Sequence, residues 1–327
     1  MTTYKEIKGQ LIRSVSSDPA NPQEGQIWYN NTIGVLKDAE FVPGTFSSGG
    51  NLNTGRSSLG GAGTQSATLA AGGGPSSGGA ATNSAEEYNG SSWTNVNTVP
   101  ISREGPFASG VQTAAWLASG TPGSATTQEL ETVEYDGTNW TSGGNVNTGR
   151  RIGASAGTLT AGIKAGGYNP VTDAVEHYDG TSWTTETSMP LVSWQFYGYG
   201  TQTAAQFIGG RSPNPGTTSL QYDGTTWTST TPTLNARRAF AGGGTQAALS
   251  ILGGSTSAPP FSNVDPSEEW NGSNFVTSSN ITTPIANVGG SPQSTQAASL
   301  TFGGFPTLTT TQEYVGNGVL TRTLTTS

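Results

Sequence analysis

The chain has 327 residues, with 48 Gly, 18 Pro, no Cys, one His and a formal net charge of −8. The lack of cysteine excludes disulfides and thiolate metal ligands, and the acidic balance argues against nucleic acid as a general partner. A hydrophobic content of 32% would suit a disordered chain, but eight Trp, ten Tyr and ten Phe must be buried somewhere, which points to short strands joined by tight turns.

The first 45 residues read as a segment of their own. Ile7, Leu11, Ile12 and Val15 lie on a roughly helical spacing that a strand would also satisfy. No apolar run nears the roughly 20 residues of a membrane-spanning helix, and "MTTYKEIKGQ" lacks the apolar centre of a signal peptide. The expectation is a soluble protein, not inserted in a membrane and made without classical secretion. After "SSDPANP", the stretch "EGQIWYNNTIGVLKD" predicts a hairpin with Asn30-Asn31 near its turn.

Residues 46–327 are periodic. A turn motif recurs as Tyr88-Asn89-Gly90-Ser91-Ser92-Trp93, then from Tyr135 to Trp140, from Tyr178 to Trp183 and from Tyr222 to Trp227. Weaker copies run from Trp270 to Phe275 and from Tyr314 to Val319. A second motif keeps step with it: Gly63-Thr64-Gln65 and its counterparts precede a small, apolar run that ends at Gly72-Gly73, Ser119-Gly120, Gly166-Gly167, Gly209-Gly210, Gly253-Gly254 and Gly303-Gly304. Asp-Gly and Asn-Gly suit a type I′ turn, and an even loop count places the Tyr and the Trp on one face of a hairpin as an aromatic pair.

Each repeat therefore predicts four short strands. Four-stranded units of about 40 to 50 residues are the blades of a β-propeller. "FSSGGNLNTGR" (46–56) matches "WTSGGNVNTGR" (140–150), so an extra copy of a last strand precedes the first repeat. It is expected to complete the sixth blade, whose own final segment from Val319 is degenerate.

The loops between second and third strands vary in sequence, and variable loops on a rigid scaffold are where binding usually resides. Arg56, Arg103, Arg150 and Arg237 each stand seven residues before the Gly of a first turn. Two readings stay open for them: ties that bond carbonyls between blades, or a basic mouth for an acidic glycan. The fourth repeat has Trp194, Phe196, Tyr197 and Tyr199 where other inner strands have small residues, so these plug the axis or form a sugar-stacking platform. Trp116, which breaks its own repeat, is expected in the core.

Catalytic readings do poorly. His177 stands alone where sister repeats have Glu87 and Glu134. Asp265, Glu268 and Glu269 could supply an acid/base pair, but adjacent acids on a strand point to opposite faces. No catalytic residue, metal site or cofactor is assigned.

The double Gly after an apolar strand, followed by Tyr-Asp at a turn and a Trp shortly after, resembles the kelch repeat. The Tyr-to-Trp spacing is shorter than usual there and Gly replaces the usual Pro, so the chain is similar to a divergent kelch-like group. The resemblance implies an all-β fold: a six-bladed kelch-like β-propeller of four antiparallel strands per blade over 46–327, with a short N-terminal attachment segment over 1–45. The segment "SSDPANPQEGQIWYN" resembles the N-terminal modules of tail and fibre proteins of marine bacteriophages, over about 30 residues. That likeness implies a virion structural protein of tail, fibre or capsid-associated type, made in the host cytoplasm, with residues 1–45 contacting other virion proteins and the propeller displayed outward to bind host surface polysaccharide or a neighbouring virion protein. The alternative is a lectin or glycan-active enzyme on the same ring.

Overall fold

A computed structural model describes residues 12–19, 25–75, 80–123, 127–211, 213–256 and 264–324. Among them every long regular element is a strand. The N-terminal part gives β1 (Arg13–Val15), β2 (Ile27–Asn30), β3 (Val35–Val42) and β4 (Thr45–Ser48). Next come β5 (Gly60–Thr64), β6 (Ala67–Ala71), β7 (Ala85–Tyr88) and β8 (Trp93–Asn95), then β9 (Phe107–Val111), β10 (Ala114–Ala118), β11 (Thr132–Tyr135) and β12 (Trp140–Ser142). The third quartet is β13 (Ala154–Thr158), β14 (Ala161–Ala165), β15 (Val175–Tyr178) and β16 (Trp183–Glu186). The fourth is β17 (Trp194–Thr201), β18 (Ala204–Arg211), β19 (Ser219–Tyr222) and β20 (Trp227–Ser229). The fifth is β21 (Ala241–Gly244), β22 (Leu249–Leu252), β23 (Pro266–Trp270) and β24 (Phe275–Asn280). The chain closes with β25 (Gly289–Gly290), β26 (Ala298–Phe302), β27 (Thr311–Val315) and β28 (Gly318–Leu324).

The chain folds as two compact units, Met1–Gly44 with Asn317–Ser327, and Thr45–Gly316. Among the described residues seven four-stranded sheets result where the repeats predict six. The additional sheet, ordered β1-β2-β3-β28, lies wholly in the first unit. Residues 318–324, expected with the repeats, pair instead with β3 from Leu36 to Val42. Their place on the last repeat is taken, because β4 occupies the outer edge of β27 with Phe46 opposite Tyr314.

In the first unit β1 is a strand, parallel to β2, and β2 and β3 form the expected hairpin. Ile7 and Leu11 fall outside the described residues. The Asp18 carboxylate accepts from Trp28 Nε1 at 3.0 Å, from Asn30 Nδ2 at 2.8 Å and from Lys37 Nζ at 2.5 Å. These bonds, that of Lys37 foremost, hold its pKa down at about 2. The "SSDP", "QIWYN" and "LK" pieces of the N-terminal motif are thus the parts of one polar clasp.

The second unit is a propeller-like arrangement of six antiparallel sheets, counted in chain order from β5–β8, with β25-β26-β27-β4 as the sixth. The first strands adjoin in sequence from β5 to β9, β13, β17 and β21, and β25 adjoins both β21 and β5. Among the described residues six apolar clusters fill the spaces between successive sheets. One joins Leu52, Leu300 and Phe302 of the sixth sheet to Leu59, Tyr88 and Trp93 of the first. Burial of this kind, about 25 cal/mol per Å² of apolar surface, is the main force available to a chain without cysteine.

The hairpin motif works through its side chains. The paired rings lie 4.5 to 5.0 Å apart in all six copies, the sixth being Phe46 with Tyr314. The turn departs from type I′, for of its residues only the Gly takes positive φ, as at Gly90, Gly137, Gly180, Gly224 and Gly272. The preceding Asn or Asp instead accepts, through Oδ1, from the next two loop N–H groups: Asp136 bonds Thr138 at 2.8 Å and Asn139 at 2.6 Å. These backbone bonds keep Asp136 and Asp179 below the ordinary carboxylate pKa.

The motif Tyr also ties neighbouring sheets. Tyr88 Oη donates to Glu313 at 2.5 Å, Tyr135 to Glu87 at 3.0 Å, Tyr314 to Glu269 at 2.8 Å, and Tyr178 to Glu134. Where Trp270 replaces the Tyr, the preceding sheet has Gln221 in place of the Glu; where His177 replaces the Glu, Tyr222 turns its hydroxyl to Gly224. Gly49 lies under one such hydroxyl: a Cβ there would stand 2.4 Å from Tyr88 Oη. The "SGGN" spelling is therefore a close approach rather than a turn.

The glutamine of each Gly-Thr-Gln turn is a second tie. Gln112 Nε2 donates to the carbonyls of Thr68 and Tyr88 in the preceding sheet, at 3.2 and 2.8 Å. Gln65, Gln202, Gln246 and Gln296 repeat the pattern. The third repeat has Leu159 there, and the second sheet answers with the fully buried Trp116, whose Nε1 bonds Thr158 O at 3.1 Å. Trp116 is core, as its sequence context predicts.

Candidate functional site

Of the two readings of the four arginines the basic mouth falls, and the carbonyl bonds of the other run within each sheet rather than between sheets. Arg56, Arg103, Arg150 and Arg237 are at most 1% exposed, so no ligand in solvent reaches them. Arg56 pairs with Glu86 at 2.5 Å, Arg150 with Glu176 at 2.7 Å and Arg237 with Glu268 at 2.5 Å. Arg103 has no such acid and bonds the carbonyls of Leu117, Ser119 and Glu131. Desolvation lowers the pKa of all four, opposed by nearby glutamates. Glu268, considered above as an acid/base group, is consumed as the partner of Arg237 and of the Leu234 and Asn235 amides.

The backbone at these positions builds a closed link. Gly73, Gly120, Gly167, Gly210, Gly254 and Gly304 donate N–H bonds to the carbonyls of Arg103, Arg150, Ser193, Arg237, Ile285 and Arg56 respectively, at 2.8 to 3.0 Å. Each bond runs from the double Gly of one sheet to the entry of the next.

Two residues further on lies a smaller ring. Gly105 donates to Ser58, Ile152 to Gly105, Gln195 to Ile152, Ala239 to Gln195, Asn287 to Ala239 and Ser58 to Asn287, at 2.7 to 2.9 Å. All six residues have φ between 48° and 63°. Ile152, being β-branched, is the most strained of them, and backbone held in this region clusters at ligand sites.

This ring surrounds the mouth of an axial pocket of about 670 Å³, its open mouth included, lined by the ring residues together with Gly60, Gly61, Ala108, Ser155, Tyr197 and Pro292. At the far end Gln293 of the sixth sheet donates to Gly157 O of the third at 2.9 Å, and its N–H bonds Gly63 O at 3.0 Å. The pocket is therefore stopped at that end by the segment around Ser291 and Gln293.

The aromatic residues of the fourth sheet divide. Phe196, 6% exposed, packs on Phe207 in the space shared with the third sheet. Tyr199 is fully buried and donates to Ser250 O at 3.1 Å. Tyr197 lines the pocket and reaches the sixth sheet, since a Cβ on Gly290 would stand 2.8 Å from its Oη. Its ring is only partly buried, and desolvation pushes its hydroxyl well above the ordinary pKa. Trp194 goes to the rim: its ring lies 4.7 Å from Tyr168 and carries the Arg211 guanidinium at 4.9 Å.

That rim holds residues the sequence reading passed over. Arg151 lies over Tyr168 at 5.6 Å and stands 3.8 Å from Glu104. Arg238, beside the buried Arg237, donates to Gln195 Oε1, and Gln195 Nε2 in turn bonds Asn287 Oδ1 at 3.0 Å. Burial and then the charge of Arg211 lower the Arg238 pKa to about 10. The doubled arginines at 150–151 and 237–238 were the available signal: the first of each pair turns inward, Arg151 stays partly exposed, and Arg238, itself 2% exposed, meets the mouth only through Gln195. Of the variable loops, residues 76–79, 124–126, 212 and 257–263 lie outside the described residues.

Lys164 is the other charged group without a counterpart in sister repeats. It is fully buried, 3.1 Å from Glu176, with Phe107 and Trp183 rings at 5.2 and 5.6 Å. Desolvation, helped by Arg150, brings its pKa from 10.5 down to about 7. The unfolded chain then holds more protons than the native one between those values, so this group makes stability rise as pH climbs from 7 toward 10. Urea unfolding at pH 7 and pH 9 is expected to show wild type gaining on Lys164→Met; parallel behaviour of the two would refute the assignment.

Among the described residues no group of three or more His, Asp or Glu side chains is placed to hold a metal ion. His177 is half-buried, 3.8 Å from Glu186 and edge-on to Tyr222, and burial lowers its pKa. No protein-family model matches the chain, and no curated protein matches it.

Proposed function

We propose that the chain is a bacteriophage virion structural protein, of tail, fibre or capsid-associated type, whose repeats form a six-bladed kelch-like propeller. Six apolar clusters between successive sheets and two closed six-membered hydrogen-bond rings support that blade number, with the seventh sheet serving as the attachment module. The observation that carries the reading is the pairing of β3 with β28. The chain enters and leaves the ring through two neighbouring strands of one small sheet, a double tether suited to holding a ring on a particle. The ring offers a stopped pocket and variable loops for host surface polysaccharide or a neighbouring virion protein, and it is read as a binding module rather than an enzyme.

The test is mass spectrometry of purified particles followed by a cryo-electron microscopy map. Presence at a symmetry-fixed copy number, with the β1-β2-β3-β28 sheet buried against another virion protein, is the expected result. Absence from the particle would overturn the proposal and favour the alternative, a free lectin or glycan-active enzyme.

A further inference from the structure

Thirteen Lys and Arg are set against twenty-one Asp and Glu in this chain. Three of those thirteen lie beside the pocket lining on one arc: Arg151 and Arg211, partly exposed, and Arg238, 2% exposed and bonded to the lining residue Gln195. The arc is built in register: Arg151 bridges Tyr168, Trp194 pairs with Arg211, and Arg238 bridges Ser255. The equivalent positions elsewhere on the ring are Glu104, bridged to Thr121, Ser57, bridged to Gly74, and Ala286, whose carbonyl accepts from Phe305 N–H at 2.8 Å. The mouth is thus uneven: one arc carries cations and aromatic rings, whereas the remaining positions are an acid, a serine and an alanine.

Four planar groups form a row, Arg151 on Tyr168 on Trp194 on Arg211, with successive separations of 5.6, 4.7 and 4.9 Å. All four are partly exposed. A guanidinium resting on an aromatic face loses rotamer freedom and keeps its N–H edge for other partners. Arg211 spends one donor on Pro213 O at 2.5 Å, and among the described residues no carboxylate pairs with it. Arg151 has only Glu104 at 3.8 Å, beyond hydrogen-bond distance. Arg56, Arg150 and Arg237 each have a carboxylate within 2.7 Å, so these two arginines are the less fully paired.

We propose that this arc is a binding site for an acidic saccharide, whose carboxylate or ester-sulfate oxyanions are held by Arg151 and Arg211 while Arg238 fixes Gln195 at the mouth. The inference deepens the binding role proposed for the ring and rests on it, but needs no virion. A chain of net charge −8 repels polyanions in general, so adhesion to one requires a local cationic site.

The experiment uses the full chain and measures retention and affinity on alginate, a polyuronate, beside dextran sulfate and uncharged dextran. Wild type is expected to bind an anionic polymer and ignore dextran, with alginate preferred if carboxylate is the recognised group and dextran sulfate if ester sulfate is. The double variant Arg151→Gln, Arg211→Gln should lose about tenfold or more in affinity, the scale of a charge-assisted bond. Arg322→Gln, a surface arginine of the other unit, should leave binding unchanged. Circular dichroism and thermal melting establish that the double variant is folded, and Arg211→Lys provides a milder variant that keeps charge but loses the stacked fork. Equal binding by wild type and double variant, or no binding of wild type to either polyanion, overturns the inference. Failure here with the protein present on particles would leave the virion proposal standing, and polymer binding without virion residence would do the reverse.

Discussion

Deleting residues 1–56 is expected to abolish cooperative unfolding of the ring, whereas deleting residues 1–44 should preserve it. The two truncations differ by β4 and the segment that follows it. That stretch supplies the partner for Gln312 to Val315, the ring of Phe46 at 4.8 Å from Tyr314, Leu52 in the cluster between sixth and first sheets, and Arg56 for Glu86. Its loss also removes Ser57 and Ser58 from their immediate chain support, next to the bond that closes the small ring at Asn287. An opened ring exposes two sheet edges and two apolar faces at once, a cost comparable to the whole stability of a domain, about 5–15 kcal/mol. Far-ultraviolet circular dichroism and calorimetry should show one sharp transition for the shorter truncation and a broad or absent one for the longer.

The second large effect concerns the buried ion pairs. Arg237→Met should destabilise by about 3–5 kcal/mol, because the Glu268 carboxyl would be left at 0% exposure without its guanidinium partner. The carbonyls of Gly253 and Pro266, each 3.0 Å from the guanidinium, would also lose a donor. The chain contains its own control. The fourth repeat has Ser193 and Leu220 at these two positions and the sixth has Ile285 and Gln312, so both halves of the pair are absent together in each, while the second keeps Arg103 with Val133 in the acid's place. The double variant Arg237→Ser, Glu268→Leu should accordingly be less destabilised than either single change, as apolar replacement of buried ion pairs often is. Chemical denaturation of the three variants decides this; additive losses would show that the pair is not a closed unit.

Much of the ring was legible because its rules are local. The Tyr-to-Trp hairpin, the double Gly and the 46–56 copy of a last strand each depend on residues within one repeat, and the structure pairs Phe46 with Tyr314 as that copy implies. What failed to show depended on distance. Arg56 finds Glu86 thirty residues on, and only the joint loss of Arg and Glu in the fourth and sixth repeats hints at the pairing. The destination of 318–324 was hidden for the same reason, since Arg322 meets Asp38 across 284 positions. The φ-positive ring at Ser58, Gly105, Ile152, Gln195, Ala239 and Asn287 has no residue signature at all: it is a property of six backbones meeting at an axis. At the mouth, Trp194 stood out by its bulk, but Tyr168, Arg211 and the second arginines of the doubled pairs gained meaning only once the sheets were set side by side.

Closure by β4 is the claim on which the ring, its pocket and its uneven mouth all depend. The most direct measurement exploits the absence of native cysteine: Thr45→Cys and Val315→Cys, opposite each other in the β4–β27 register, are introduced together. The account predicts a spontaneous intramolecular disulfide in the folded protein, read by thiol titration and faster migration on a non-reducing gel. Two free thiols under native oxidising conditions would contradict it.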